Sequence, residues 1–251
     1  KKLSKIDSVA TVVLNGKMAP GMQILVARKG KVVYQKSFGF HTDENTTPVI
    51  NSDLYDIASM TKIVATLPLI MELEEREILD LNSTLGSLIH KLRRTNKNKI
   101  TVKEVLSHYG GLFPYFAFYL KTLDSATKRP SADFYRSERS HKYNLKVTDS
   151  LYLLSSYEDE MFDIIAQSEL LKKKEYKYSD LGYFIFKEYI EKHYKSDLNE
   201  LTQLHFYQSL GANRTTYVPL EKFSKNEIVP TEKDNYYRHK LVHGEVHDMG
   251  A

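Results

Sequence analysis

The chain of 251 residues contains no cysteine. That absence excludes disulfides, thiolate metal sites and cysteine nucleophiles, and it is compatible with either side of a bacterial inner membrane. No run approaches the roughly 18–20 consecutive apolar residues that a transmembrane helix needs. The start, Lys1-Lys2-Leu3-Ser4-Lys5, is basic but leads into no apolar stretch, so no secretory signal is read there. A trimmed signal, or a domain cut from a longer chain, would look the same. A strong charge bias is also missing, because 36 basic against 32 acidic residues leave only +4. The densest basic stretches, residues 91–99 and 172–174, read as solvated loops. A nucleic-acid site would need a basic face with aromatics in a matching fold, so no nucleic-acid partner is expected.

What is present is a globular composition, 41% hydrophobic with 12% aromatic. The length suffices for one large domain or two small ones. Residues 23–40 carry two apolar, β-branched runs around Arg28-Lys29-Gly30-Lys31, which predicts a β-hairpin. From Ser59 to Glu77 the period turns helical, with Ile63, Leu67, Ile70, Met71 and Leu73 on one stripe and Pro68 expected to kink it or to leave a short first segment. Residues 78–89 read as a turn and a helix with Asp80 and Asn82 as cap candidates. Thr101-Val102-Lys103-Glu104 is a capping-box pattern, and Gly110-Gly111 is the expected stop of the helix it opens. Residues 115–146 read as a long surface excursion, helical patterns return at 157–171, 181–193 and 198–210, and 226–251 read as irregular. The expected class is therefore α+β, an antiparallel sheet plus a large helical region, without βαβ alternation. The division is 20–58 for the hairpin and approach, 59–225 for a helical body and 226–251 for an irregular segment near a cleft, within a single domain over 1–251.

Three groups of residues could do chemistry. Ser59-Met60-Thr61-Lys62 places an amine one helical turn after a hydroxyl. A serine is a poor nucleophile until a base takes its proton, and a lysine at this spacing can be that partner. The bland alternative is a serine that merely caps a helix. A second tetrad, Ser125-Ala126-Thr127-Lys128, runs directly into Arg129-Pro130 and lacks an apolar helix behind it. Tyr178-Ser179-Asp180 offers a phenol that a nearby ammonium would acidify and a carboxylate that could hold an amide or ammonium group. Equally, Asp180 could cap a helix starting at Leu181. In His243-Gly244-Glu245-Val246-His247, the alternation would put His243, Glu245 and His247 on one side of a strand, as metal ligands or as a hydrogen-bonded loop. The chain has no His-Glu-x-x-His, no Gly-x-Ser-x-Gly and no phosphate-cradling glycine loop, which counts against a zinc protease, an α/β-hydrolase and a nucleotide enzyme.

Taken in order, PGMQILVARKGKVVYQKSFG, DIASMTK, ITVKEVLSHYGGL and YKYSDLGY resemble the serine β-lactamase-related hydrolases. That group includes class C β-lactamases, penicillin-binding-protein-like D-alanyl-D-alanine carboxypeptidases and related esterases. The later FYQSLGANRTTYVPL and IVPTEKDNYYRHKLVHGEVHD resemble a narrower branch, one sometimes attached to a glycoside hydrolase acting on N-acetylglucosaminides. The resemblance implies a β-lactamase/transpeptidase-like fold, Ser59 as the acylated nucleophile, Lys62 as its activating partner and Tyr178 as general base. Asp180 stands where many relatives have a substrate-contacting asparagine, and Gly110 replaces a serine usual before Gly111. The implied reaction is acyl transfer from an amide or ester (a β-lactam, a cell-wall peptide or a small ester), with no metal or organic cofactor and an extracytoplasmic location. The alternative is a non-catalytic module that keeps the fold and binds peptidoglycan or a partner domain. Relatives continue past the position of Ala251 into a Lys-Thr-Gly or His-x-Gly strand, further sheet strands and a closing helix. A strand of that kind supplies an oxyanion donor worth roughly 3 kcal/mol or more, so this chain is expected to be C-terminally incomplete and weakly active or inactive by itself.

Overall fold

A computed structural model of the protein describes residues 3–44 and 47–245. These fall into two units, residues 3–44, 47–56, 218–234 and 240–245 in the first and residues 57–217 and 235–239 in the second.

The first unit opens with helix α1 (Ser4–Asn15), followed by strands β1 (Gly21–Arg28) and β2 (Lys31–Gly39). The two strands pair antiparallel from Gly21↔Gly39 to Arg28↔Lys31, with a bulge between Val26 and Ala27. Their connection is Lys29-Gly30, with φ of 51° and 72°. Two consecutive left-handed residues are what a two-residue hairpin turn requires, and glycine meets that without steric cost. The predicted hairpin is therefore present. Asp7 of α1 lies 2.5 Å from Lys36 Nζ and accepts from the Tyr34 hydroxyl at 3.2 Å, tying helix to strand. The later part of this unit contributes a short antiparallel ladder, β6 (Glu232–Asp234) with β7 (Lys240–Val242), inside residues expected to be irregular.

The second unit carries the helices α2 (Leu67–Glu75), α3 (Leu85–Leu88), α4 (Val102–Leu106), α5 (Tyr157–Gln167), α6 (Leu181–Tyr194) and α7 (Leu198–Thr202). Their apolar stripes meet in one core that includes Leu69, Leu73, Val105, Ile165, Leu181 and Ile185, all buried. Burying a side chain of this size is worth about 1.5–3 kcal/mol, which explains why helices as short as α4 persist. The capping box at α4 forms as read, with Thr101 Oγ1 accepting from Glu104 N and Glu104 accepting from Thr101 N.

Several expectations are corrected. The chain leaves α4 at Ser107, and the left-handed residue that turns it is His108 (φ 58°), not Gly110 or Gly111. Helix α3 is capped by Thr84, which accepts from Ser87 N, while Asp80 instead holds a turn by accepting from Asn82 N. Residues 115–146 are not simply surface. They supply a 3₁₀ turn, Phe118–Thr122, whose Phe118 and Thr122 are buried, and strands β3 (Tyr135–Arg136) and β4 (Tyr143–Thr148), which flank β5 (Leu151–Leu154) in a three-stranded antiparallel sheet. Thr122 and Tyr135, within residues read as a helical body, form with Tyr237 from the segment read as irregular a buried chain of hydroxyls at 2.6 and 2.7 Å, which satisfies polar groups that burial would otherwise penalise.

Pro68 marks off a short first segment, as one of the two expectations had it, and itself sits in the first turn of α2, where a missing N–H costs nothing. The segment before it, Lys62–Thr66, is a π-turn. The Val64 carbonyl, four residues before the proline, accepts instead from the Tyr207 hydroxyl at 3.1 Å.

Candidate active site

Ser59 lies in a single 3₁₀ turn, Ala58–Met60, that leads into the π-turn and then α2. The residue before it, Ala58, has φ 45°, a conformation that alanine adopts only under strain and that tends to mark functional turns. Ser59 is exposed, whereas Lys62 is only 3% exposed. The π-turn, a local widening often found at functional sites, begins at Lys62. Lys62 Nζ donates to Ser59 Oγ at 3.0 Å. The hydroxyl caps neither turn, so the bland reading of Ser59 does not hold.

The start of α6 supplies the other side of the ammonium. Asp180 Oδ1 lies 2.9 Å from Lys62 Nζ, as an ion pair set off the line of a good hydrogen bond. Asp180 makes no side-chain cap on α6. That role falls to Ser179, whose hydroxyl accepts from Leu181 N at 3.2 Å and donates to the Phe113 carbonyl at 2.6 Å. With its cap supplied by a neighbour, the Asp180 carboxylate is free to face the lysine. The backbone is pinned by Asp180 N donating to the Pro114 carbonyl at 2.9 Å. The rings of Tyr178 and Tyr183 have their centroids 5.8 and 5.5 Å from the ammonium, within cation–π range. Burial raises the Tyr183 phenol pKa above its ordinary value, and the Lys62 charge partly opposes that.

The structure thus brings Ser59, Lys62 and Asp180 into contact and puts the half-exposed Tyr178 ring beside them. A buried cation held by a carboxylate and donating to a hydroxyl can do two things. It can stabilise negative charge developing on the serine oxygen, and it can favour the anionic form of a neighbouring phenol.

Sequence reasoning left His108 and Tyr183 without a role. Both sit against Tyr178 or Lys62, and one signal for Tyr183 was available, since it falls three residues after Asp180 on the same helical face. The second tetrad is a surface turn: Asp124 Oδ1 accepts from Ala126 N and Thr127 N, and Lys128 has φ 57°.

The possible metal ligands are engaged otherwise. His243 Nε2 lies 2.7 Å from the carbonyls of both Lys225 and Ile228, and Glu245 pairs with Lys240 at 2.6 Å. His247 lies outside the described residues. Among the described residues, no group of three or more histidines and carboxylates is set to hold a metal ion, and no helix is long and apolar enough to cross a membrane.

The chain is 24% identical to an N-acetylmuramyl-L-alanine amidase of Bacillus subtilis, over all of its own length and 57% of the amidase. It is also 24% identical to a protein described as a D-alanyl-D-alanine carboxypeptidase of Salmonella typhimurium, over 92% of the chain and 54% of that protein. The chain therefore spans little more than half the length of these relatives. Among solved structures, the octameric penicillin-binding protein homologue from Pyrococcus abyssi superposes with TM-score 0.67 at 21% identity, covering 97% of this chain and 50% of that one. The class C β-lactamase from Rhodobacter sphaeroides gives 0.57 at 16% identity, covering 82% and 48%. These likenesses show a β-lactamase/transpeptidase-like fold. The model of the Beta-lactamase family matches residues 10–236, and the chain belongs to that family.

Proposed function

We propose that the chain carries the nucleophile of a serine hydrolase that works by acyl transfer to Ser59. The observation that carries this reading is Lys62, buried, with its ammonium 3.0 Å from Ser59 Oγ and 2.9 Å from Asp180. Because Lys62 donates to Oγ, the hydroxyl's own proton is directed to a different acceptor, and Tyr178 is the acceptor in reach of the same cation. In the proposed step Tyr178, acting as the phenolate, takes the Ser59 proton and becomes the neutral phenol while Oγ forms a bond to the substrate carbonyl carbon. The carbonyl electrons move to oxygen, held by the Ser59 backbone N–H. As the tetrahedral species collapses, the bond to the leaving nitrogen or oxygen breaks and Tyr178 returns the proton to it. Water then releases the acyl group by the same route. Lys62 stays charged throughout and offsets the negative charge on Oγ and on the phenol. Asp180 keeps it charged.

The names of the relatives support an amide or peptide of the cell wall as substrate class, hence an extracytoplasmic setting. A β-lactam or small ester shares the acylation step. A glycoside hydrolase acting on N-acetylglucosaminides, attached to this chain, would fit the same polymer. A fluorophosphonate or penicillin-type probe applied to the full-length protein is expected to add one adduct on Ser59 by intact-mass and peptide mapping, and none on Ser59→Ala. An unlabelled Ser59, or cell-wall binding unchanged in Ser59→Ala with no turnover in either, overturns the reading in favour of a binding module.

A further inference from the structure

The segment that delivers Tyr178 is held by one residue on both sides. Lys177 N donates to the His108 carbonyl at 2.9 Å, and Ser179 N donates to His108 Nδ1 at 3.3 Å. Between these two bonds the imidazole ring lies against the Tyr178 ring, centroids 4.6 Å apart and tilted by 43°. His108 reaches this place because it ends the turn after α4 with φ 58°, a left-handed conformation that histidine, asparagine and aspartate tolerate better than most side chains.

An Nδ1 that accepts a hydrogen bond has no proton, so the neutral ring carries its proton on Nε2. Protonating the ring means adding a proton at Nδ1, where it would confront the Ser179 N–H as donor against donor. The groups that face the ring are Tyr176 at 6.1 Å, Tyr178 at 4.6 Å and Tyr183 at 6.3 Å between ring centroids, together with the charges of Lys62 and Asp180. We propose that His108 is the positioning residue of Tyr178, and that acylation of Ser59 requires its imidazole to be neutral. This rests on the serine-hydrolase reading above and adds to it a residue that touches neither Ser59 nor Lys62 through a hydrogen bond.

The electrostatics agree with the geometry. Burial, and next the Lys62 charge, hold the His108 pKa below the ordinary imidazole value, while Asp180 opposes them. The neutral ring is thus the resting form near neutral pH. As the pH falls through its lowered value, the Ser179 contact is lost and Tyr178 is released from its place.

Two substitutions separate the parts of this role. His108→Asn tolerates the left-handed backbone and keeps a side-chain acceptor but removes the ring. His108→Phe keeps a ring against Tyr178 but removes the acceptor. The rate of Ser59 labelling by a fluorophosphonate is measured between pH 5 and 9 in the full-length protein, with thermal melting as the check on folding. In His108→Phe the rate at pH 7.5 is expected to fall about tenfold or more, since small misplacements of a reacting group cost that much. His108→Asn is expected to lose less. In both, the wild-type inflection below about pH 6.5, the ordinary histidine value, is expected to vanish. Nitrogen NMR of wild-type His108 gives an independent readout, and a ring protonated on Nδ1 at pH 7.5 overturns the proposal even where a variant fails to fold. Folded variants that label at the wild-type rate with the same pH profile overturn it while leaving the nucleophile assignment intact. A wild type that takes no label overturns both.

Discussion

Lys62 is the residue on which the site turns, because a cation that is 3% exposed must have partners to remain one. Replacing it by methionine leaves the Asp180 carboxylate, itself 15% exposed, without its cation. Stability is expected to fall by about 3 kcal/mol, read as a lower midpoint in urea unfolding. Asp180→Asn does the opposite to the lysine. It removes the anion 2.9 Å away, so the buried ammonium loses its counter-charge. Ser59 labelling at a fixed pH of 7.5 is expected to slow about tenfold or more in that variant, and an unchanged rate would show that Asp180 does not support Lys62. The pairing of Ser59 with Lys62 was legible in the sequence, since one helical turn is fixed by backbone geometry. The direction taken by Asp180 was not. As a residue just before a helix it had two plausible partners, the α6 backbone and a distant lysine, and the choice went to the lysine only because Ser179 already capped the helix.

Among the elements, the packing of α6 on α4 leaves no room for growth. A Cβ placed on Gly182 would come 2.3 Å from Val105 Cγ1. Gly182→Ala is therefore expected to destabilise the protein by about 1–3 kcal/mol and, because Asp180 opens the same helix, to slow Ser59 labelling as well. Removing the Tyr207 hydroxyl strips the Val64 carbonyl of a donor, and Tyr207→Phe is expected to cost about 1 kcal/mol in denaturant unfolding. Elements written in local chemistry could be read in advance: the Lys29-Gly30 turn, the Thr101–Glu104 capping box and the stripes of α5 and α6. Those decided by distant partners could not. The π-turn at Lys62–Thr66 answers to Pro68 and Tyr207 together, and the left-handed stop at His108 is held by residues some 70 positions later. Strands β3 to β5 escaped notice because a sheet of two- to six-residue strands has too short a period to register against polar turns.

For the molecule as a whole, Lys97 is a buried lysine outside the site. Lys97 is fully buried, with Nζ donating to the Ser168 carbonyl at 2.5 Å, to Asn96 Oδ1 at 2.9 Å and to the Ala166 carbonyl at 3.4 Å, where the last turn of α5 presents its unpaired oxygens. Burial pushes its pKa down to about 8, partly opposed by Glu169. A folded value below the unfolded 10.5 means that the unfolded chain binds the proton more tightly between those limits. The contribution of Lys97 to stability is then fully present above pH 10.5 and is lost as the pH falls toward 8. Wild type is expected to gain stability relative to Lys97→Met as the pH rises through this window, in paired urea titrations. A constant difference would show that its three acceptors cancel the cost of burial.

The sequence by itself determined the hairpin, the helical stripes and the Ser59–Lys62 pair, because each depends on spacings of four residues or fewer or on a tight turn between adjacent strands. Only the tertiary structure decided that Asp180 joins Lys62, that His108 brackets Tyr178 and that Tyr237 enters the core of the second unit. Those contacts join segments tens to more than a hundred positions apart, and backbone periodicity carries no information about which side chains will meet across such loops.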